Sequence, residues 1–121
     1  MLGWKAFGAG LSLPLASAIC QDVATSVSAA GTTQGTATEL TASDSEVTTV
    51  GAGAGCVLSS KFSPGDSQTV FNAGENPLKV YPPSDMRINA LAANAPMILS
   101  TNTGCFYKCI STTRVFGVIS A

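Results

Sequence analysis

From residue 35 onward, short apolar runs alternate with turn-forming clusters. Residues 35–40 and 46–50 flank the polar cluster Thr41-Ala42-Ser43-Asp44-Ser45, which reads as a turn. Residues 56–62 form the next predicted strand. Ser63-Pro64-Gly65-Asp66 follows, with proline second and glycine third, the pattern of a type II turn. Further strands are predicted over 68–72, 77–81, 87–91 and 96–100. Pro82-Pro83 ends the second of these, because proline offers no N–H to a ladder. Residues 105–110 and 114–120 make the last pair, joined across Ser111-Thr112-Thr113. Strands of about five residues, spaced about eight to twelve apart, predict an all-β fold, a small antiparallel β-sandwich or barrel. No strand–helix alternation is present to suggest a parallel α/β sheet.

The N-terminal third reads differently. Residues 1–30 are expected to be an extended arm and residues 31–121 the β-rich domain. The opening MLGWKAFGAGLSLPLASAI is apolar and carries a single charge, Lys5. One reading is a docking arm with Trp4, Phe7, Leu11, Leu13 and Leu15 as its contacts to a neighbouring subunit. The other is a secretory signal ending at Ala16-Ser17-Ala18. Residues 20–37 read as a polar connector with one strand. A helical turn over 21–28 is the alternative, since Val23 and Val27 are four apart.

Composition narrows the function. The 121 residues include 6 Lys plus Arg, 7 Asp plus Glu and no histidine, for a net charge of -1. No basic excess marks a nucleic-acid surface, so no nucleic-acid partner is expected. Without histidine, neither Ser-His-Asp nor Cys-His catalysis can be assembled. There is no apolar run of about 20 residues, so no membrane partner is expected. Only 11% of residues are charged. That is sparse against an average of about 25% and favours a surface that meets other chains.

Candidate chemistry adds little. Gly51-Ala52-Gly53-Ala54-Gly55 precedes a strand and lacks the helix and lysine of a phosphate loop. The acids Asp44, Glu46, Asp66, Glu75 and Asp85 fall in or beside predicted turns, where carboxylates cap their own backbone. No catalytic residue, metal site or cofactor is assigned, and the chain is not expected to be an enzyme. Cys20, Cys56, Cys105 and Cys109 read as buried thiols or as one or two disulfides. Cys105 and Cys109 share one face of a strand about 13 Å apart, too far for a direct bridge. Phe62, Phe71, Phe106 and Phe116 read as core or inter-sheet residues. Tyr81 and Tyr107 read as contacts to another subunit, where tyrosine is enriched.

One stretch has a recognisable pattern. It runs through Pro64-Gly65-Asp66, Val70, Asn72, Gly74, Asn76, Leu78, Val80-Tyr81-Pro82-Pro83, Ile88-Asn89, Leu91-Ala92 and Asn94, then an aromatic-rich hairpin. Over residues 30–121 the chain resembles a group of small β-rich virion proteins of tailed bacteriophages. The resemblance implies a capsid decoration or cement protein, or head fibre, on the phage head. Its implied partners are the major capsid protein and itself, as a homotrimer. Asp85-Met86 and Arg114-Val115-Phe116 depart from the group's pattern. Two other functions fit the residues: a secreted or periplasmic disulfide-containing β module that binds a ligand or carbohydrate, and a tail-fibre knob whose Tyr81 and Tyr107 meet host glycans.

Overall fold

A computed structural model describes residues 23–120. Ten strands run through them: β1 Val23–Ser28, β2 Thr38–Glu39, β3 Asp44–Thr49, β4 Gly55–Val57, β5 Ser67–Asn72, β6 Leu78–Tyr81, β7 Arg87–Ile88, β8 Met97–Leu99, β9 Thr103–Ser111 and β10 Arg114–Ile119. Each strand predicted from residue 35 onward has a counterpart here. β1 begins inside the stretch expected to be arm.

The strands do not pair as expected. Two sheets form, with orders β1-β3-β5-β9-β10-β7 and β2-β4-β6-β8. From β1 to β6, consecutive strands lie in different sheets, and each pairs in parallel with the strand two places along. Val23 sits beside Asp44, and Asp44 beside Thr69. The chain therefore coils, laying one strand in each sheet on every circuit. The architecture is a β-solenoid of about four turns with mostly parallel sheets. This corrects the expected antiparallel sandwich or barrel. Short strands at regular spacing are common to both architectures. What differs is whether neighbouring strands in sequence pair with each other or sit on opposite walls of a coil.

The coil ends by reversing. β9 runs antiparallel beside β5, and β10 folds back on β9 as the expected hairpin. β7 adds in parallel to β10, and β8 closes the smaller sheet antiparallel to β6. The predicted type II turn is present: Gly65 has φ +95° and Asp66 N–H donates to Ser63 O at 2.8 Å.

Between the two walls lies one core. Val47, Val70, Cys105, Tyr107, Val115 and Ile88 come from the larger sheet, and Cys56, Leu78, Val80 and Leu99 from the smaller. Two buried amides, Gln68 and Asn72, and the half-buried Asn76 stitch the coils together. Gln68 Nε2 donates to Leu40 O and Ala42 O while its Oε1 accepts from Ser59 N–H. Asn72 Nδ2 donates to Asn76 O and Leu99 O, and its Oδ1 accepts from Gly74 N–H. Asn76 Nδ2 reaches back to Val50 O at 2.8 Å. Among the described residues, no buried side-chain nitrogen or oxygen lacks a partner.

Candidate interaction surface

The resemblance pattern turns out to be architectural. Asn72 and Asn76 are coil stitches. Gly74 is where two coils touch, since a Cβ there would lie 2.5 Å from Val50 Cγ2. Asn89 locks β7 onto β10 with a two-way bond, Nδ2 to Gly117 O and Oδ1 from Gly117 N–H. Asn94 Oδ1 accepts from Asp85 N–H. Leu78, Val80 and Ile88 are fully buried. These residues specify how the coil closes, not what it binds.

The two tyrosines expected at a subunit contact lie inside the chain. Tyr81 does face away from Leu78 and Val80, but the loop before β2 covers it, and its hydroxyl donates to Thr32 O at 2.9 Å. Tyr107 is completely buried, with its hydroxyl 3.6 Å from Met97 Sδ. Burial pushes the Tyr107 phenol well above its ordinary range. Trp4, Phe7, Leu11, Leu13 and Leu15 lie outside the described residues.

Cys56, Cys105 and Cys109 are buried free thiols. Burial pushes the Cys56 thiol up to about 12, and raises Cys105 and Cys109 as well. They are core residues rather than nucleophiles. Cys20 lies outside the described residues. Among the described residues, no three His, Cys, Asp or Glu side chains converge as metal ligands.

The largest groove, about 570 Å³, runs between the smaller sheet and the loops around Ser60 and Pro83. Its one carboxylate, Glu39, is taken up by Ser60, accepting from both N–H and Oγ–H at 2.9 Å. Those bonds hold the Glu39 pKa below the ordinary carboxylate value.

The unpredicted feature is the outer face of the larger sheet. Phe62 is in the core as expected, but Phe71, Phe106 and Phe116 are 38%, 43% and 52% exposed. This corrects their core assignment. Pairing fixes why. Val70, Cys105, Tyr107, Cys109 and Val115 point inward, so their immediate neighbours point outward. Register then gathers the outward residues. Phe106 lies opposite Thr69 on β5 and Val118 on β10, Phe116 opposite Lys108, and Phe71 opposite Gly104. The result is one apolar patch of Phe71, Phe106, Phe116, Val118 and Ile110, with Lys108 among them.

Charge is sorted across the same face. Asp44 and Glu46 stand two apart on β3 and also face outward; Asp44, placed in the predicted turn, belongs to the strand. Arg114 and Arg87 are register partners at the other end of the sheet. Both flank buried neighbours, Val115 and Ile88, and so face outward. The face thus runs from an acidic strand, over aromatic residues, to a basic corner.

The signal for this face was present in the sequence as the phase of the last hairpin. Cys105, Tyr107 and Cys109 alternate with Phe106, Lys108 and Ile110. Treating tyrosine as the polar partner and phenylalanine as core sets that alternation one residue out. Compared with protein-family models, curated proteins and solved structures, the chain matches none.

Proposed function

We propose that this chain is a structural assembly protein that works by presenting binding area, in the role of a capsid decoration or cement protein on a phage head. The observation that carries the assembly reading is the outer sheet face, with three exposed phenylalanines held in register on a stiff coil. Such a patch, aromatic at its centre and charged at its rim, is the make-up of a protein–protein interface. The phage role is supported by the resemblance over residues 30–121. The apolar segment containing Trp4, Phe7, Leu11, Leu13 and Leu15 is the proposed capsid anchor. Repeated around a symmetric shell, many modest contacts of this kind add up to useful stabilisation.

Neither competing reading gains support. A disulfide-stapled secreted module does not account for three buried free thiols. A glycan-binding knob built on Tyr81 and Tyr107 would need rings that are accessible, and both are buried.

The test is co-sedimentation with capsids of the phage that encodes the chain, assembled without it. Saturable binding by the full chain is expected, with a rise in capsid melting temperature. Deleting residues 1–19 is expected to abolish attachment. Full occupancy by the truncated protein would reject the anchor, and no binding by the full chain would reject the capsid role.

A further inference from the structure

We propose that the outer face of the larger sheet is self-complementary, and that a second copy of this chain packs on it about a two-fold axis. The inference goes beyond the capsid reading and does not depend on it.

The argument starts from charge. Asp44 and Glu46 are neighbours of like sign on β3, and Arg87 and Arg114 are neighbours of like sign on β7 and β10. Among the described residues, no ion pair neutralises either cluster. Lys108 lies between them on β9. Like charges set side by side repel, and a partner surface of the opposite sign removes that cost. One chain carries both signs on one flat face. A second copy can therefore supply what each cluster lacks.

The positions allow it. Strands lie about 4.8 Å apart and residues rise about 3.3 Å along each. On that grid the acidic pair and the centre of the three cations Arg87, Arg114 and Lys108 are separated by about 20 Å, with the midpoint among Ser67, Thr69, Phe106 and Lys108. A two-fold axis lying in the face, at right angles to that line, exchanges the two clusters. The same operation sets Glu46 over the partner's Arg114 and Arg87. It also sets Phe71 over the partner's Phe116, and brings the two Phe106 rings together at the centre. Charge and aromatic complementarity thus come from one symmetry operation, as an isologous contact requires.

The area is also sufficient. Six strands by about six residues cover about 29 Å by about 20 Å, so two facing copies enclose about 1,200 Å² in plan. A specific interface needs about 1,000 Å².

The test is the oligomeric state of the full chain by sedimentation velocity and light scattering at about 10–100 μM. A dimer is expected. Phe106→Glu places a carboxylate at the centre and is expected to weaken dimerisation at least 100-fold, with an unchanged circular dichroism spectrum because the side chain is exposed. Glu46→Arg alone and Arg114→Glu alone are each expected to weaken it about tenfold. Combining the two in one chain is expected to restore it to within about threefold, which a purely structural role would not produce. A monomeric wild type would overturn the proposal. So would a trimer, or a dimer indifferent to Phe106→Glu. A monomer that dimerises only after residues 1–22 are deleted would assign the face to that segment instead, and equally overturn it.

Discussion

Asn72 should be the most sensitive polar residue in this fold. Its side chain is fully buried and makes three bonds, all to backbone: to Asn76 O at 2.9 Å, to Leu99 O at 3.0 Å and from Gly74 N–H at 2.9 Å. It thereby ties β5 to the following corner and to β8, on the opposite wall. Asn72→Leu keeps the branched shape at slightly greater volume and removes all three bonds. Each buried group left unpaired costs about 1–3 kcal/mol, and the added apolar burial returns about 1–2 kcal/mol. For the three groups together the expected net loss is about 1–8 kcal/mol, out of a total of about 5–15 kcal/mol for a domain. Urea unfolding followed by circular dichroism measures it. Asn72→Asp is the sharper probe. The carboxylate can still accept from Gly74 N–H, but it turns negative charge on two carbonyl oxygens in a dry site. Burial and those oxygens raise its folded pKa above the unfolded value of about 3.9. A raised folded pKa gives a contribution that is present below the unfolded value and lost as pH rises through the folded one. The Asn72→Asp chain should therefore gain stability relative to wild type on acidification from about pH 7 to about pH 4. A loss below about 1 kcal/mol for Asn72→Leu, or a pH-independent Asn72→Asp difference, would refute the stitch.

Two further outcomes follow from the packing. Gly74→Ala puts a Cβ 2.5 Å from Val50 Cγ2 and 3.1 Å from Val50 N, so the coils must separate. A loss of about 1–3 kcal/mol in urea unfolding is expected, whereas a neutral result would show that the coils slide apart freely. Burial raises Cys56 from about 9 to about 12, and raises Cys105, Cys109 and Tyr107 too. The unfolded chain then releases thiol protons near pH 9 that the folded chain keeps. Stability should be flat between about pH 6 and 8 and fall from about pH 9 towards 12. A thiol reagent at pH 8 should label these three cysteines only as fast as the chain opens. Rapid labelling without unfolding would contradict their burial.

Local structure was largely legible, and pairing was not. Pro64-Gly65 names its turn because only glycine takes φ +95° without strain. The strand positions follow from apolar runs bounded by Gly, Asn and Pro. Parallel coiling left a fainter trace. Its circuits differ in length, so no fixed repeat appears, and the corners are marked only by small residues at Gly31–Gly35, Gly51–Gly55 and Gly74. Tyr81 shows a second limit. Its outward direction was read correctly from alternation, but a loop forty-nine residues earlier in the chain covers it. Strand periodicity tells which way a side chain points, not what lies over it.

The division of labour between motif and surface follows from the coil itself. Every circuit must match its neighbours over its whole length, so any residue that spans two circuits is constrained by both. Asn72, Gly74, Asn76 and Asn89 are of this kind, and they carry the recognisable pattern. The outward positions of the larger sheet answer to no other circuit. Phe71, Phe106 and Phe116 contribute little to the core that Val70, Tyr107 and Val115 form behind them. Three aromatic rings and two clusters of like charge, without an ion pair among the described residues, thus stand on that face outside the core cluster. A second copy packed on that face, as proposed above, would account for them.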